Sequence, residues 1–141
     1  MDMINLCFVL WCLGGEPSPH HIRLVTTQDV YHNAGVENRM VAVEGHWLIG
    51  GYVFQPDSHD VIFSGIVPLR IQLHPRVTLN GGAIVGTGAL PRRGTLVNWL
   101  ARAQLQLTDV VALEIVHVSN GGPSHIDNPA IDSVGVSVRL K

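Results

Sequence analysis

The sequence contains little charge. Only 14% of its 141 residues are Asp, Glu, Lys or Arg, and Lys141 is the single lysine. This scarcity argues against a disordered acidic or basic tail, and a net charge of −2 gives no electrostatic basis for binding nucleic acid or an anionic membrane. Hydrophobic residues make up 46%, enough for the core of one domain. With so few charges, part of the surface is predicted to be covered by other subunits.

The first residues also lack Lys and Arg and carry Asp2, so we do not expect them to act as a secretory signal. The apolar run that follows is too short to span a bilayer. Its two cysteines, Cys7 and Cys12, could pair only if the chain turned between them, and we expect buried free thiols. Residues 1–19 are predicted to form an arm and a Gly/Pro linker before a domain at 20–141. The apolar side chains of the arm are Ile4, Leu6, Phe8, Leu10 and Trp11.

Motifs of the common enzyme classes are lacking as well. There is no G-x-S-x-G, no G-x-G-x-x-G and no P-loop, and the eight histidines show no spacing that suits a metal site. Arg92-Arg93 could bind a phosphate, a sugar carboxylate or an acid of a neighbouring subunit, although a solvated loop is the simpler interpretation. We therefore predict that the protein is not an enzyme and uses no metal or other cofactor.

What the sequence does have is alternation between apolar and polar residues, which indicates β-strands with one buried face. Asn80-Gly81 predicts a tight turn, because both residues tolerate positive φ, and residues 107–110 predict another. Residues 95–107 fit a helix or a strand, and the strand is favoured. The clearest alternating run predicts that four apolar residues share one face: Val67, Leu69, Ile71 and Leu73.

The stretch from His46 to Gln55 is apolar on both faces. A strand of this kind must be covered on both sides, and the second cover is predicted to be another subunit or the N-terminal arm. The last strand, 133–140, places Val and Leu on one face and small residues on the other. Seven or eight such short strands, with frequent turn signals, predict a β-sandwich or jelly roll.

The order of these features resembles a known family. An aromatic-rich strand after Gly45 is followed by an alternating strand that runs into Asn80-Gly81. Then come a strand with a tight acidic turn at 105–111, a strand that closes at 119–122 and a final strand that ends at 138–140. This pattern resembles the C1q/TNF-like jelly roll found in bacteriophage virion proteins.

The resemblance implies an all-β, antiparallel jelly-roll sandwich that assembles as a homotrimer. It also implies that residues 95–107 form a strand and that one face of the 46–55 strand lies against the other subunits. The implied interface residues are Leu48, Tyr52, Phe54, Leu100 and Arg102.

The function predicted from this resemblance is structural. The protein would decorate and stabilise a phage capsid in the virion, with the arm of residues 1–19 anchored on the shell. Its partners would be copies of itself and the major capsid protein or another virion platform, with no nucleic acid and no membrane. The alternative is a receptor- or glycan-binding tip of a phage tail or fibre, in which exposed loops such as the one carrying Arg92 and Arg93 would bind the ligand.

Overall fold

The computed structural model describes residues 22–30, 38–55, 60–88, 96–119 and 130–140. In these residues the chain forms eight antiparallel strands, and each strand pairs with its neighbours in sequence. The last strand pairs back onto the first, with Arg23 opposite Arg139, so that the sheet closes into a barrel. The strands are β1 (Ile22–Asp29), β2 (Arg39–Glu44), β3 (Leu48–Phe54), β4 (Val61–His74), β5 (Val77–Gly86), β6 (Val97–Gln106), β7 (Val111–Ser119) and β8 (Ile131–Leu140).

The predicted jelly-roll sandwich is therefore wrong. A jelly roll consists of two packed sheets, and the chain passes from one sheet to the other between strands. Here the strands form one sheet in sequence order, and that sheet closes on itself. Closure satisfies the backbone groups of β1 and β8 that would otherwise form open edges. Alternation along each strand looks the same in both architectures, so it could not distinguish them.

The two ends of the barrel differ in their connections. We call the end with short connections the turn end; Ile22 and Leu140, where the described barrel starts and finishes, also lie there. We call the opposite end the loop end, because its connections are longer. The turn end has the connections 45–47, 75–76 and 107–110, and the loop end has 30–38, 55–60, 87–96 and 120–130.

The longest strand, β4, contains a register shift against β5 between Ile66 and Leu69. A bulge of this kind adds one residue and reverses the side-chain alternation beyond it. Val67 therefore points into the barrel and is 3% exposed, whereas Leu69, Ile71 and Leu73 point outward. The prediction that these four side chains share one face is therefore wrong: Val67 alone is buried, and the other three lie together on the outer face.

Asn80-Gly81, predicted as a turn, lies in the middle of β5. The chain turns instead at Pro75 and Arg76. Asn80 is buried and its side chain is hydrogen-bonded inside the barrel, so tertiary contacts override its local preference for turns. The second predicted turn, at 107–110, is confirmed and joins β6 to β7.

Within the ambiguous segment at 95–107, residues 97–106 form a strand, β6, as predicted. Its alternation is complete. The outward side chains are Val97, Trp99, Ala101, Ala103 and Leu105, and the inward ones are Asn98, Leu100, Arg102, Gln104 and Gln106.

Glycines on the inner side let the strands approach closely where the sheet bends. A Cβ on Gly135 would lie 2.6 Å from the Cα of Thr27, and one on Gly82 would lie 2.7 Å from the Cα of Val67. No side chain fits at such distances. These glycines allow the local curvature that closes a small barrel.

Candidate functional site

The outer face of the barrel is apolar. Large hydrophobic side chains on all eight strands point away from the barrel axis and are between 36% and 68% exposed. A monomer in water rarely exposes so much contiguous apolar surface, which usually marks an interface. We call this surface the apolar belt; it consists of Ile22, Leu24, Val41, Val43, Leu48, Tyr52, Phe54, Ile62, Ile66, Leu69, Ile71, Leu73, Leu79, Val85, Val97, Trp99, Leu105, Leu113, Ile115, Val134, Val138 and Leu140.

Charged side chains on the outer face of the strands lie near the loop end. Arg39 is the first residue of β2, opposite Gln28 and Phe54 in the register. His117 and Asp132 lie opposite each other on β7 and β8, with 2.7 Å between the imidazole Nδ1 and the carboxylate Oδ1. From these positions to the turn end, the outer face of β1, β2, β7 and β8 is dominated by aliphatic residues.

Aromatic side chains of the outer surface lie towards both ends. Tyr52 and Phe54 stack in the loop-end half of β3, with ring centroids 6.2 Å apart, and Trp99 is 58% exposed in the loop-end half of β6. At the turn end, the rings of His46 and Trp47 lie 4.7 Å apart in the β2–β3 connection. The apolar belt therefore has aromatic rings near each of its borders.

The interior is filled. Val25, Phe63, Ile84 and Val116 are at most 2% exposed and belong to one cluster of apolar side chains across the barrel. A cavity of about 10 Å³ remains towards the loop end, room for about one water molecule. The described strands thus enclose a packed core rather than a channel. The cavity is lined by Thr27, Asn38, Met40, Val53, Ile84, Val118, Ile131 and Ser133.

Towards the turn end, the interior is polar and charged. The Arg102 guanidinium donates hydrogen bonds of 2.5 and 2.8 Å to the two carboxylate oxygens of Glu44, and its Nε lies 3.5 Å from Oε2 of Glu114. The Gln104 amide donates to the other Glu114 oxygen at 2.8 Å, and Asn80 donates to Gln104 at 2.9 Å. These five buried residues form the interior polar network, which ties together β2, β5, β6 and β7.

Further arginines extend this polar region to the turn-end mouth. The Arg70 Nε donates to the side-chain oxygen Oδ1 of Asn80 at 3.3 Å. Arg23 donates to the Ser137 hydroxyl at 2.9 Å and to the Gln106 side chain at 3.2 Å. The barrel thus combines an apolar outside with charged groups inside, the reverse of a barrel dissolved in water.

The five predicted interface residues do not lie on one surface. Leu48, Tyr52 and Phe54 belong to the apolar belt, but Leu100 and Arg102 point into the barrel and are 2% and 3% exposed. They lie inside because the outward positions of β6 are the odd-numbered ones. The barrel wall separates the two groups, so they cannot form one contact surface; the homotrimer itself stays a prediction.

The predicted arm residues, from Ile4 to Trp11, and the predicted ligand-loop residues Arg92 and Arg93 lie outside the described residues. The boundary between an arm at 1–19 and a domain at 20–141 falls there too. The arm, the domain boundary and the ligand loop therefore stay predictions.

Sequence reasoning missed the polar residues that meet inside the barrel, namely Glu44, Asn80, Gln104 and Glu114. A signal for them exists in the sequence. Glu114 lies between Leu113 and Ile115, and β6 carries Asn98, Arg102, Gln104 and Gln106 at every other position except Leu100. Polar residues at every second position, between apolar residues that form the other face of the strand, can indicate an interior in which polar and charged side chains pair with each other. The signal is stronger in a chain that has little charge elsewhere.

Across residues 22–30, 38–55, 60–88, 96–119 and 130–140, no three His, Cys, Asp or Glu side chains are placed to share a metal ion. The same ranges contain no helix that is long and apolar enough to cross a membrane.

No protein-family model and no curated protein matches the sequence. A solved structure from the de novo design of transmembrane β-barrels superposes on 87% of this chain and 98% of its own, with a TM-score of 0.62 and 12% sequence identity. At this identity the likeness shows the fold alone. The chain therefore shares its overall β-barrel fold with that designed protein.

Proposed function

We propose that this protein is a small membrane-spanning β-barrel whose outer wall contacts lipid and whose filled interior makes it a scaffold rather than a pore. The observation that carries the proposal is the inverted polarity of the wall. The apolar belt faces outward on all eight strands, while Glu44, Arg102 and Glu114 are buried inside. In water this arrangement would leave large apolar side chains hydrated, with a free-energy cost of roughly 25 cal/mol for each Å² of apolar surface exposed.

Closure of the barrel meets the strictest requirement of the bilayer interior. Every backbone N–H and C=O within the hydrocarbon must find a partner in the protein, and only helices and closed barrels achieve this. Here all eight strand pairs are hydrogen-bonded, including the pairing of β8 with β1. No open edge of the described sheet would face the lipid.

Strand lengths suit a span of this type. A tilted strand crosses the hydrocarbon with about 9–11 residues. β5, β6 and β8 have 10 residues each and β7 has 9. β2 and β3 are shorter, with 6 and 7 residues, so the barrel wall is lower on that side.

The distribution of connections and aromatic rings also supports a membrane-spanning barrel. Membrane barrels have an even number of strands, short turns at one end and longer loops at the other, with aromatic side chains near both borders of the apolar band. The turn end and loop end of this chain follow that arrangement, and Trp47, Trp99 and the Tyr52–Phe54 pair lie towards the borders. His117, Asp132 and Arg39 would then lie near the lipid headgroups at the loop end.

This proposal replaces the expectation that the protein has no membrane partner. It draws further support from the fold shared with a designed transmembrane barrel. The predicted capsid-decoration role, and the receptor-binding alternative, rested on the resemblance to a jelly roll, which the closed barrel removes. Both stay predictions without structural support, and a soluble assembly that covers the apolar belt becomes an outcome of the test.

The test is fluorescence quenching in vesicles. With Trp11→Phe and Trp47→Phe, the outward-facing Trp99 is the remaining tryptophan. After refolding into phosphatidylcholine vesicles, lipids brominated on their acyl chains should quench its emission strongly, and non-brominated lipids should not. The membrane proposal fails if the protein instead forms a stable oligomer in detergent-free buffer and does not insert into the vesicles. Light scattering would detect such an oligomer, for example at three times the 15.3 kDa mass of the chain.

A further inference from the structure

Two arginines face each other inside the turn-end mouth of the barrel. Arg23 on β1 and Arg139 on β8 are direct partners in the register of the two strands. Both belong to the inward-facing set and are half-buried. Like charges placed directly opposite on neighbouring strands repel each other, so this pair is unfavourable unless something lies between or beside the two guanidinium groups.

The two carboxylates that act on Arg23 already have a partner. Glu44 accepts two hydrogen bonds from Arg102, and Glu114 lies beside the same guanidinium and accepts from Gln104. The charges that act on Arg23 are those of Arg139, Arg102, Glu114 and Glu44. Among these groups, Arg23 included, three are arginines and two are carboxylates, so positive charge is in excess around Arg23.

The hydrogen bonds of the two mouth arginines also leave capacity for a ligand. Arg23 donates to neutral acceptors, the Ser137 hydroxyl and the Gln106 side chain. The Nε of Arg139 is buried and has no acceptor among the described residues. A buried guanidinium N–H without an acceptor is costly, and a buried excess charge more so.

We propose that the turn-end mouth of the barrel binds a phosphate group between Arg23 and Arg139. A phosphate offers several oxygens to two guanidinium groups at once, and each guanidinium presents parallel N–H donors that match them. The bound anion would neutralise the excess charge, separate the two arginines and accept from the Arg139 Nε. The phosphate could come from solution or from a phospholipid headgroup, and the experiment distinguishes these sources.

The first arm measures inorganic phosphate binding to the refolded full-length protein in dodecyl maltoside, a detergent without phosphate. The calorimetric titration is run at constant ionic strength, and the same titration with chloride in place of phosphate is the reference. The wild-type protein should bind phosphate, and Arg139→Gln should weaken this binding about tenfold or more, because charge-assisted hydrogen bonds are lost. Arg39→Gln is the matched control: it removes the same charge from the outer face at the loop end and should leave the affinity unchanged.

The second arm replaces inorganic phosphate with a short-chain phosphatidylglycerol added to the same micelles. If this lipid binds with the same variant pattern and inorganic phosphate does not, the site takes a lipid headgroup. If inorganic phosphate binds, the free anion suffices. In either case the ligand should raise the unfolding temperature of the wild-type protein by mass action, and raise that of Arg139→Gln less.

The proposal is overturned if neither probe binds the wild-type protein, or if Arg139→Gln binds as tightly as the wild type. Should Arg139→Gln fail to fold, Arg23→Gln takes its place, and the wild-type titration decides by itself whether a site exists. The outcome is independent of the quenching test. A barrel that inserts into vesicles but binds no phosphate contradicts this inference alone, and a phosphate-binding protein that stays out of vesicles contradicts the membrane proposal alone.

Discussion

Arg102 and Glu44 form a two-point ion pair across the inside of the barrel, with both side chains at most 3% exposed. The pair joins β6 to β2, strands that are not neighbours in the sheet. It therefore braces the barrel across its interior rather than along its wall. Burial of two charges is unfavourable by itself, and the geometry must compensate for the loss of water.

Removal of one member of this pair should be strongly destabilising. With Glu44→Ala, Arg102 keeps only its longer contact with Glu114, and we expect a loss of about 3–5 kcal/mol in the free energy of unfolding. Urea unfolding in phosphatidylcholine vesicles, followed by tryptophan fluorescence, measures it. Val43→Ala is the neighbouring control on the outer face and should cost about 1 kcal/mol. Equal losses in the two variants would mean that the pair contributes nothing specific.

A lysine on the apolar belt should report the solvent around the barrel. Ile115 is 62% exposed in the middle of β7, and Ile115→Lys should cost about 2–4 kcal/mol in a bilayer, where a charge near the midplane is penalised. His117→Lys, two residues nearer the loop end on the same face, should cost at most about 1 kcal/mol. The comparison uses unfolding free energies of the two variants in the same vesicles.

In water the expectation for Ile115→Lys is different. An exposed surface substitution there changes stability by about 0.5 kcal/mol at most. If Ile115→Lys and His117→Lys are equally stable in vesicles, the outer face of β7 does not contact the lipid core.

The alternation of β6 was readable from the sequence, but its orientation was not. Val97, Trp99 and Leu105 fall on one face whichever way the strand points, because a period of two is the same for an apolar face turned inward or outward. The surrounding solvent decides which face is buried. The resemblance to a trimeric jelly roll implied that Arg102 lies at an interface, whereas it lies in the interior.

Two other differences have causes that a pattern of apolar and polar residues does not show. The bulge at Val67 and Pro68 changes which residues share a face, and it leaves no signature in a pattern of apolar and polar letters. Asn80 has a strong preference for turns, yet inside the barrel its amide connects Arg70 to Gln104. Contacts with the neighbouring strands β4 and β6 decide the position of Asn80, and the sequence around Asn80 alone does not show them.

The filled interior predicts that the wild-type barrel conducts no ions. Phe63 and Ile84 are at most 2% exposed in the apolar cluster that fills the interior of the described strands. Planar-bilayer recordings of the reconstituted protein should therefore show no stable conductance steps. Steps that appear in proportion to the amount of folded protein would contradict a scaffold role and point to an interior that opens.

Truncation of the same cluster should also reduce stability. Phe63→Ala should cost about 3–5 kcal/mol, because the packed interior cannot collapse fully around the missing ring. Phe54→Ala removes an identical ring from the outer face, where lipid chains can fill the space, so its loss should be smaller. Unfolding free energies in vesicles give both values, and a Phe54 variant that is the less stable of the two would contradict this assignment of inside and outside.

Gly135 should be required for closure of the barrel. A Cβ at this position would lie 2.6 Å from the Cα of Thr27 on β1, closer than atoms of neighbouring strands can approach, so Gly135→Ala must push β8 away from β1. We expect a large fall in the yield of folded barrel, measured by the heat-sensitive migration of the folded form on gels and by circular dichroism. Gly45→Ala is the matched control, because a Cβ there meets nothing within 4 Å. If Gly135→Ala folds as well as Gly45→Ala, the strands can separate at this point without loss, and the close approach of β1 and β8 is not what closes the barrel.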